Sequence, residues 1–492
     1  MAITSQLDLT SFKAMGAAKS RRVTVNPENL STFVSNASTT DVYFTLPSGK
    51  YSFINGQNSY LAFDVLVTLL PTFTGALTAG ATNAFICNSS ASSFIRTLEV
   101  QLQSQTTELL DKYDVFAAII EDAQGVGRSN TISNVASGGA TWTNSAIGSV
   151  PLNGVGSISN IHIKQGYDLW GGASTAFVSG TAVVGTSIRV AIPLYSSVLG
   201  TMQQQYMPAA DGIRLRLAFQ PSDIPIMVRS NLGVGTGSLS FAATYTVSNL
   251  ALQMDYLDVV PEVYHQLVAE SGGVLRQHGS ACANFGSTLA ALTTFSSILI
   301  PARYSSLKNL LTVFRNSVST TSQQANSCGD RIYPLNNDYV YRIDGRNYPS
   351  VNVRCGASGS CLAGESIMEV IKCFHSLHSA QFDLVFGIAE YRSQYGAVAY
   401  TSPANAAGAG NWKIPVPGDC GTIVGSYVIG LEMEQDQAGK AVISGMDTNS
   451  SNTYLDMNYT TGNALPYIAD TFAIYDLIIE YDTTSGVISF SK

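Results

Sequence analysis

Cys373, His375 and His378 are the residues whose types and spacing come closest to a metal site. Thiolate and imidazole groups are ligands that zinc prefers, and structural zinc sites space them in recurring patterns. The spacing Cys-x-His-x-x-His matches none of the common patterns. These residues also end a segment of helical periodicity, where a histidine interacts favourably with the helix dipole. The sequence therefore predicts no metal and no cofactor at this position.

The motifs of common enzyme classes do not occur elsewhere in the chain. Gly233–Gly237 is rich in glycine, but no Lys-Ser/Thr pair follows it, so we interpret it as a loop rather than a phosphate site. Nucleophile elbows, Walker loops and the His-Glu-x-x-His motif are missing. The neighbouring acidic residues Glu432 and Glu434 lie on an expected strand, and we expect them to be solvated. The sequence predicts a protein that is not an enzyme, although a glycosidase needs only two carboxylates and stays open.

The composition favours an all-β protein of two domains. The chain has 492 residues, which suits two domains of more than ~200 residues each. Charged residues make up only 12%, about half the usual share, and 43 glycines, 24 tyrosines and 20 phenylalanines are present. Such a composition is typical of short strands joined by many turns. A surface with few charges also suits a protein that buries much of its outside against copies of itself.

The charge distribution argues against a protein that coats nucleic acid directly. The net charge is −8, and neither half of the chain is basic, whereas a nucleic-acid coat needs a face rich in Lys and Arg. One weak basic cluster lies near the N-terminus, and its members are Lys13, Lys19, Arg21 and Arg22. A frayed terminus with solvated charges is the simplest interpretation of this cluster.

The cysteine pattern predicts free thiols. The seven cysteines are Cys87, Cys282, Cys328, Cys355, Cys361, Cys373 and Cys420, an odd number with no Cys-x-x-Cys pair. Met1–Asp8 has no charged-then-apolar pattern of a signal peptide, and no apolar run reaches the ~20 residues of a membrane span. We therefore expect synthesis and assembly in a reducing compartment.

A joint between two β-domains is predicted near the middle of the chain. In Leu250–Ala269, apolar residues alternate on one face of a strand, and they are Leu250, Leu252, Met254 and Tyr256. Pro261 lacks an N–H group and is compatible with a first helical turn, so residues 262–269 are expected to form a short helix. A strand followed by a short helix is typical of a connection between domains.

The order of motifs resembles a known family. Met254–Asp258 has an aromatic-aspartate pattern, the expected helix follows, and Leu307–Leu311 carries a Leu-Lys element inside a strand–turn–strand segment, Ile298–Arg315. This succession resembles the double jelly-roll major capsid proteins of the adenovirus, tectivirus, Polinton and nucleocytoplasmic large DNA virus lineage. In these proteins, a similar strand ends the first roll, a short helix follows, and a similar element opens the second roll.

The two halves of the chain repeat one plan. Each half contains strands, an amphipathic helix, a long loop rich in Gly, Ser, Ala or Asn, and further strands; the helices are expected near 109–120 and 365–377, and the loops are Asp122–Asn160 and Tyr395–Trp412. The resemblance implies that these loops face outward.

The predicted fold is all-β, with two tandem eight-stranded antiparallel jelly rolls, short helices and long loop insertions. The expected parts are an N-terminal arm at 1–30, the first jelly roll at 31–258, a linker at 259–273 and the second jelly roll at 274–492.

The resemblance implies a structural function. We expect a viral major capsid protein whose homotrimers form pseudo-hexagonal capsomers and tile an icosahedral shell. Its implied partners are neighbouring capsomers, penton proteins and minor capsid proteins, in a virion capsid assembled inside the host cell. The resemblance also implies that the arm faces inward and is ordered only by contacts in the particle. Its interior-contact candidates, for an inner membrane or the genome without sequence-specific binding, are Lys13, Lys19, Arg21 and Arg22.

A β-rich carbohydrate-binding or carbohydrate-active protein is the alternative. It needs a groove with exposed tryptophans and paired carboxylates. The chain has three tryptophans, Trp142, Trp170 and Trp412, and all lie in tracts expected to be loops.

Overall fold

The structure is a computed structural model of the chain. It describes residues 18–29, 31–35, 41–73, 82–86, 91–122, 141–143, 163–165, 180–185, 187–199, 206–220, 225–230, 239–290, 293–317, 331, 333–334, 336–355, 364–376, 427–434, 445–459 and 466–492.

Antiparallel strands dominate the first half of the chain. The strands are β1 (Ala18–Val25), β2 (Phe33–Val34), β3 (Asp41–Thr45), β4 (Ser52–Phe73), β5 (Thr82–Ile86), β6 (Ile95–Leu102), β7 (Gln105–Asp111), β8 (Thr141–Thr143), β9 (Ile163–Gln165), β10 (Val183–Val184), β11 (Ile188–Pro193), β12 (Tyr206–Pro208), β13 (Ile213–Phe219), β14 (Ile226–Ser230) and β15 (Leu239–Val259). A 3₁₀ helix, Ala91–Phe94, precedes β6, and helix α1 (Tyr113–Asp122) follows β7.

The second half has the same character. Helix α2 (Pro261–Glu270) leads into it, and helix α3 (Gly364–Ser376) lies within it. The strands are β16 (Val274–Leu289), β17 (Phe295–Ile300), β18 (Leu307–Asn316), β19 (Asn336–Ile343), β20 (Arg346–Arg354), β21 (Ile429–Glu432), β22 (Thr453–Tyr459), β23 (Tyr467–Asp482) and β24 (Ile488–Ser491).

Two facing sheets form a jelly roll in each half. In the first, one sheet has the order β1-β15-β4, with β11 on the far edge of β4, and the other has the order β3-β13-β6-β7. In the second, the orders are β16-β23-β18-β21 and β17-β22-β19-β20. Phe63 of β4 contacts Phe219 of β13 across the first roll, and Thr312 of β18 contacts Tyr341 of β19 across the second.

The two rolls share one topology strand by strand. In chain order, the corresponding pairs are β1 and β16, β3 and β17, β4 and β18, β6 and β19, β7 and β20, β11 and β21, β13 and β22, and β15 and β23. A helix follows the fifth strand of both rolls, α1 in the first and α3 in the second. The predicted fold class, two tandem jelly rolls with short helices, is therefore confirmed.

Alternation of apolar residues along the strands builds the cores. The face of β15 that the sequence assigned to the core is buried. The alternation in Gly212–Gln220 also predicts a strand with one apolar face, and that face of β13 is buried. The residues are Leu250, Leu252, Met254, Tyr256, Ile213, Leu215, Leu217 and Phe219. Each such side chain, fully removed from water, contributes roughly 1.5–3 kcal/mol. The two-residue period of apolar side chains was sufficient to predict the buried face because each strand presents one face to the core.

Helix α2 lies between the last strand of the first roll and the first strand of the second. Pro261 opens it, as the sequence predicted, because the first helical turn needs no N–H donor at that position. Gly273, with φ of +90°, follows its end and donates its N–H to the carbonyl of Val268.

Several local expectations are wrong. Helix α1 begins at Tyr113, and Leu109 and Leu110 belong to β7. The helical spacing was misleading because it merged two leucines of the edge strand β7, Leu109 exposed and Leu110 buried, with a helix whose described side chains are nearly all buried. The sequence predicts a short helix at Ser196–Tyr206, whereas Tyr206 lies in β12. The sequence predicts that Met368, Ile371 and Phe374 lie on one side of α3, whereas Met368 is exposed and the buried face carries Val370, Cys373 and Phe374.

The long loops predicted to face outward lie outside the described residues, apart from Asp122 and strand β8 in the first loop. The tract 395–412 also falls outside them.

Candidate functional site

The basic cluster near the N-terminus is one candidate site, and most of it lies on a strand. Lys19, Arg21 and Arg22 belong to β1, whereas Lys13 lies outside the described residues. Strand β1 pairs with β15 in antiparallel register, so that Lys19 lies opposite Asp258 and Arg22 opposite Asp255.

Arg21 is held by the strand beside it. Its Nε atom lies 2.8 Å from Asp258 Oδ2, and its guanidinium lies over the Tyr256 ring at 4.9 Å from the centroid. The hydroxyl of Ser52 donates to the other oxygen of Asp258 at 2.6 Å. The guanidinium of Arg21 therefore pairs with a carboxylate and packs on an aromatic ring within the first roll.

Arg22 is paired in the same way. Its Nε atom lies 2.9 Å from Asp255 Oδ1, and this hydrogen bond raises the pKa of Arg22. Because β1 forms within a single chain, the expectation that the arm is ordered only by contacts in a particle is wrong for residues 18–25. Carboxylates of β15 neutralise two of the four basic groups. The count of local charges along the sequence did not include these carboxylates.

The contact between the two rolls is a second candidate site, which sequence reasoning missed. At its centre lies Glu108 of β7, which is fully buried. Its carboxylate accepts hydrogen bonds from the Ser196 hydroxyl, the Ser197 N–H and the backbone N–H of Cys282. Cys282 belongs to β16 of the second roll, so this carboxylate links the edges of the two rolls. A single Glu within a polar strand sequence gives no signal of this role.

Burial dominates the electrostatics of this contact. It raises the pKa of Glu108 to about 7, and the hydrogen bonds from Ser196 and the backbone N–H groups oppose that shift. The other titratable groups that interact with Glu108 come from both rolls, and they are Tyr113, Cys282, Tyr475 and Lys492. Burial also lowers the pKa of Lys492.

Further contacts cross between the rolls around Glu108. Phe116 of α1 packs on Phe472 of β23 with ring centroids 5.4 Å apart. The hydrogen bonds run from Lys492 Nζ to the Thr106 carbonyl at 3.2 Å, from Gln103 Nε2 to the Gly486 carbonyl at 2.6 Å, from the Ile488 N–H to Gln103 Oε1 at 3.0 Å, and from Gln277 Nε2 to the Val198 carbonyl at 3.2 Å. The contact therefore has a packed centre and a polar surround.

Buried ion pairs hold the second roll together. Arg315 lies 2.6 Å from Asp470, and Lys308 lies 3.0 Å from Glu434 and 3.5 Å from Asp476. The expectation that Glu434 is solvated is wrong, because its side chain is nearly inaccessible and pairs with Lys308. These groups join neighbouring strands of one sheet, which indicates a structural role.

The cysteines and the metal candidates lie partly within the residues that the structure describes. Within it, no group of three or more His, Cys, Asp and Glu residues could hold a metal ion. Cys282, Cys355 and Cys373 are buried and form no disulfide among the described residues, and burial raises the pKa of Cys373. His378 lies outside the described residues. None of the helices in the described ranges is long and apolar enough to cross a bilayer.

Comparison with known proteins defines the class of fold. No protein-family model and no curated protein sequence matches the chain. In structure, the chain is similar to a chain of the Sputnik virophage, with a TM-score of 0.57 and 11% identity over 97% of this chain and 89% of that one. It is also similar to the major capsid proteins of Faustovirus (TM-score 0.54, 8% identity, 96% and 92% covered) and of mavirus (TM-score 0.52, 10% identity, 96% and 90% covered). The chain therefore has the double jelly-roll fold of these proteins.

Proposed function

We propose that the chain is a viral major capsid protein. The observation that carries the proposal is the pair of jelly rolls with one strand order, joined through a buried contact in a single chain. The similarity to capsid proteins across nearly the full length of both chains supports it. Three copies of a chain with two similar units supply six similar units, so a homotrimer has a pseudo-hexagonal outline that tiles an icosahedral shell.

The proposal extends to partners and location. Capsomers meet neighbouring capsomers, penton proteins and minor capsid proteins in the virion capsid, which is assembled inside the host cell. The chain has no catalytic role in this proposal. The division into a first roll at 31–258, a linker at 259–273 and a second roll at 274–492 is part of it, with β1 added to the first roll.

The interior-contact role of the N-terminal segment is proposed for residues 1–17 and the exposed side chain of Lys19. Arg21 and Arg22 already pair with carboxylates of β15, which leaves Lys13 and Lys19 as the stronger candidates. Each cation near an anionic membrane contributes on the order of 1 kcal/mol, reduced by salt. An inner membrane or the genome is the anionic surface, without sequence-specific recognition.

Deletion of residues 2–17 tests this role. Trimers should form as in the wild type, while particles should assemble in lower yield or dissociate at lower salt. The matched substitutions Lys13→Gln and Lys19→Gln should reproduce part of the loss. Particles of unchanged yield and salt resistance would show that the charges are merely solvated.

The mass of the purified protein tests the function. A stable particle of three times 52.2 kDa is expected by light scattering. A monomer with measurable affinity for oligosaccharides would favour the carbohydrate alternative instead. No observation on the described residues favours that alternative; of the three tryptophans, Trp142 lies in β8, and Trp170 and Trp412 lie outside the described ranges.

A further inference from the structure

A buried lysine lies between two carboxylates inside the second jelly roll. Lys308 Nζ is 3.0 Å from Glu434 Oε1 and 3.5 Å from Asp476 Oδ1. The side chains of Lys308, Glu434 and Asp476 are 7%, 2% and 9% exposed. Lys308 is the lysine of the Leu-Lys element at Leu307–Leu311. The proposed capsid function makes no use of the chemistry that an amine and two carboxyl groups carry.

An irregularity in strand β18 positions the amine. The register of β18 against β23 shifts between Leu307 and Asn309, so Lys308 is the extra residue of a β-bulge. A bulge changes the direction in which a side chain leaves its strand. The carbonyl of Lys308 accepts the N–H of Met433 at 2.8 Å, and Glu434 follows directly after that residue. The bulge therefore brings the lysine beside the carboxylate that follows β21.

Hydrogen bonds hold the second carboxyl group. Asp476 Oδ2 accepts from the Ser306 hydroxyl at 2.5 Å, and the Asp476 N–H donates to the Ser306 carbonyl at 2.9 Å. Asp476 Oδ1 is the oxygen that contacts Lys308. Gly445 donates its N–H to Ser306 Oγ at 2.9 Å and packs so closely that a Cβ there would lie 2.5 Å from the Leu307 oxygen. The carboxyl group is thus fixed in a closely packed part of the roll.

This arrangement meets the conditions for forming an amide from an amine and a carboxyl group. The reacting groups must be held in contact at about 3–3.5 Å, and a third group within hydrogen-bond reach must move the proton. Lys308 and Asp476 meet the first condition, and Glu434 meets the second. Burial also favours the product, because conversion of an ammonium and a carboxylate into a neutral amide removes the desolvation penalty of two buried charges.

We propose that Lys308 and Asp476 form an intramolecular isopeptide bond, and that Glu434 transfers the proton. Glu434 takes a proton from the ammonium of Lys308, and the amine attacks Cγ of Asp476. The C–N bond forms, the bond from Cγ to Oδ1 breaks, and Oδ1 leaves as water. The amide nitrogen keeps one of the three ammonium protons and the water takes the other two, so the step consumes no oxidant or cofactor. Ser306 donates to Oδ2, where negative charge develops.

Two other ion pairs show why the bond is expected at this place. Arg315 and Asp470 also join β18 to β23 and are buried, but a guanidinium stays charged and is a poor nucleophile. Lys372 lies 2.6 Å from Glu369 on α3, but its side chain is 50% exposed. Among the ion pairs of the described residues, Lys308 alone combines an amine, burial and two carboxylates.

The bond would join two neighbouring strands of one sheet covalently. It closes a loop that runs from β18 to β23 and contains most of the second roll, and such a loop constrains the unfolded chain. The inference concerns the single chain. It holds or fails independently of the proposed trimer and shell.

Peptide mapping by mass spectrometry tests the bond in the wild-type protein. Trypsin does not cleave after an acylated lysine, so the denatured protein should give the peptide 304–315 linked to the peptide 441–492. The intact mass should be one water below the mass of the sequence. A peptide that ends at Lys308, together with an unlinked 441–492, would overturn the inference if both remain after prolonged incubation of the folded protein.

Substitutions test the three roles. Asp476→Asn should lose ammonia instead of water and give linked peptides of the same mass as the wild type. Glu434→Gln should lower the linked fraction at least tenfold, and a linked fraction equal to that of the wild type would overturn the role of Glu434. Lys308→Arg should give no link and a lower thermal midpoint. Arg315→Lys is the matched control, since it places a buried amine beside Asp470 and should give no link there. Circular dichroism checks that each variant is folded, and the wild-type peptides decide whether the bond exists if a variant is not.

Discussion

The backbone N–H of Cys282 in the second jelly roll donates a hydrogen bond to the carboxylate of Glu108 in the first. The two residues lie on facing edge strands, β16 and β7, and both are buried. A titratable group thus lies at the centre of the surface that joins the two halves of the chain. The stability of that surface depends on whether the group carries a proton.

Glu108 should make the chain less stable as the pH rises toward 8. Burial raises the pKa of Glu108 from 4.5 to about 7 in the folded chain. A raised carboxyl pKa contributes stability that is complete below pH 4.5 and is lost as the pH rises through 7, because between these values the unfolded state releases a proton that the folded state retains. The loss is up to about 3 kcal/mol. Urea unfolding of the wild type and of Glu108→Gln, at pH 5 and pH 8, measures this difference.

Glu99 is the control for this measurement, because its pKa is shifted in the direction opposite to that of Glu108. Burial alone would raise the pKa of Glu99, but hydrogen bonds from Gln101, Thr106 and Arg216 outweigh it and lower that pKa. The contribution of Glu99 is therefore complete at neutral pH and lost in acid. Glu99→Gln should change the acid side of the stability profile, and Glu108→Gln the neutral side. Profiles of stability against pH that run parallel for the wild type and Glu108→Gln would contradict the raised pKa of Glu108.

Arg315 should matter far more to stability than Arg276, although both pair with a carboxylate on β23. The side chains of Arg315 and Asp470 are 5% and 2% exposed, whereas those of Arg276 and Glu480 are 54% and 40% exposed. Arg315→Met leaves a buried carboxylate without its cation and should cost about 3–5 kcal/mol. Arg276→Met should cost at most about 1 kcal/mol. Chemical denaturation of both variants measures the two losses of stability. Equal losses would show that burial of the ion pair does not cause the difference.

The hairpin between β19 and β20 should need glycine at position 345. Asp344 and Gly345 have φ values of +49° and +73°, so the turn places two successive residues in the left-handed region. Gly345→Ala should cost about 1–2 kcal/mol because a Cβ is strained there. Gly364→Ala is the control: it also has open space around it, and its φ is not positive, so it should be neutral or slightly stabilising. Thermal unfolding compares the two.

The basic strand β1 should stabilise the isolated chain. Deletion of residues 2–25 removes β1 from the edge of β15 and exposes the surface that Val25 covers, so it should cost at least about 2 kcal/mol. Deletion of residues 2–17 removes none of the described pairing and should leave the unfolding midpoint unchanged. The midpoints in urea give the comparison. An equal effect of the two deletions would indicate that β1 is not formed in the single chain.

Sequence reasoning succeeded where one local pattern had one structural meaning. The alternation from Leu250 to Tyr256 marks a strand with one face in a core, and Pro261 marks the start of a helix. The dipeptide Asp344-Gly345 predicts a hairpin turn, and a tight turn joins β19 to β20 at this position. The repeated order of strands and helix indicated two rolls because each unit must bury the faces of its own two sheets.

It failed where burial depends on the contact between the rolls. Helix α1 is buried on nearly every side, so its periodicity could not show where it begins. Glu108 lies in a polar strand, and its buried carboxylate contacts Ser196 and Ser197 of the first roll and Cys282 of the second. Arg21 and Arg22 gave a positive signal in the sequence, but their carboxylate partners come from residues more than 200 positions away. Charge counts along a sequence do not include such pairing.

Electron microscopy of the purified oligomer tests the central claim most directly. Top views should show three copies arranged as six similar lobes with a pseudo-hexagonal outline. A reconstruction should place two jelly rolls of each copy in that ring. Single two-lobed particles at all concentrations, or an oligomer without six corresponding lobes, would contradict the claim that this chain builds the capsomers of a viral shell.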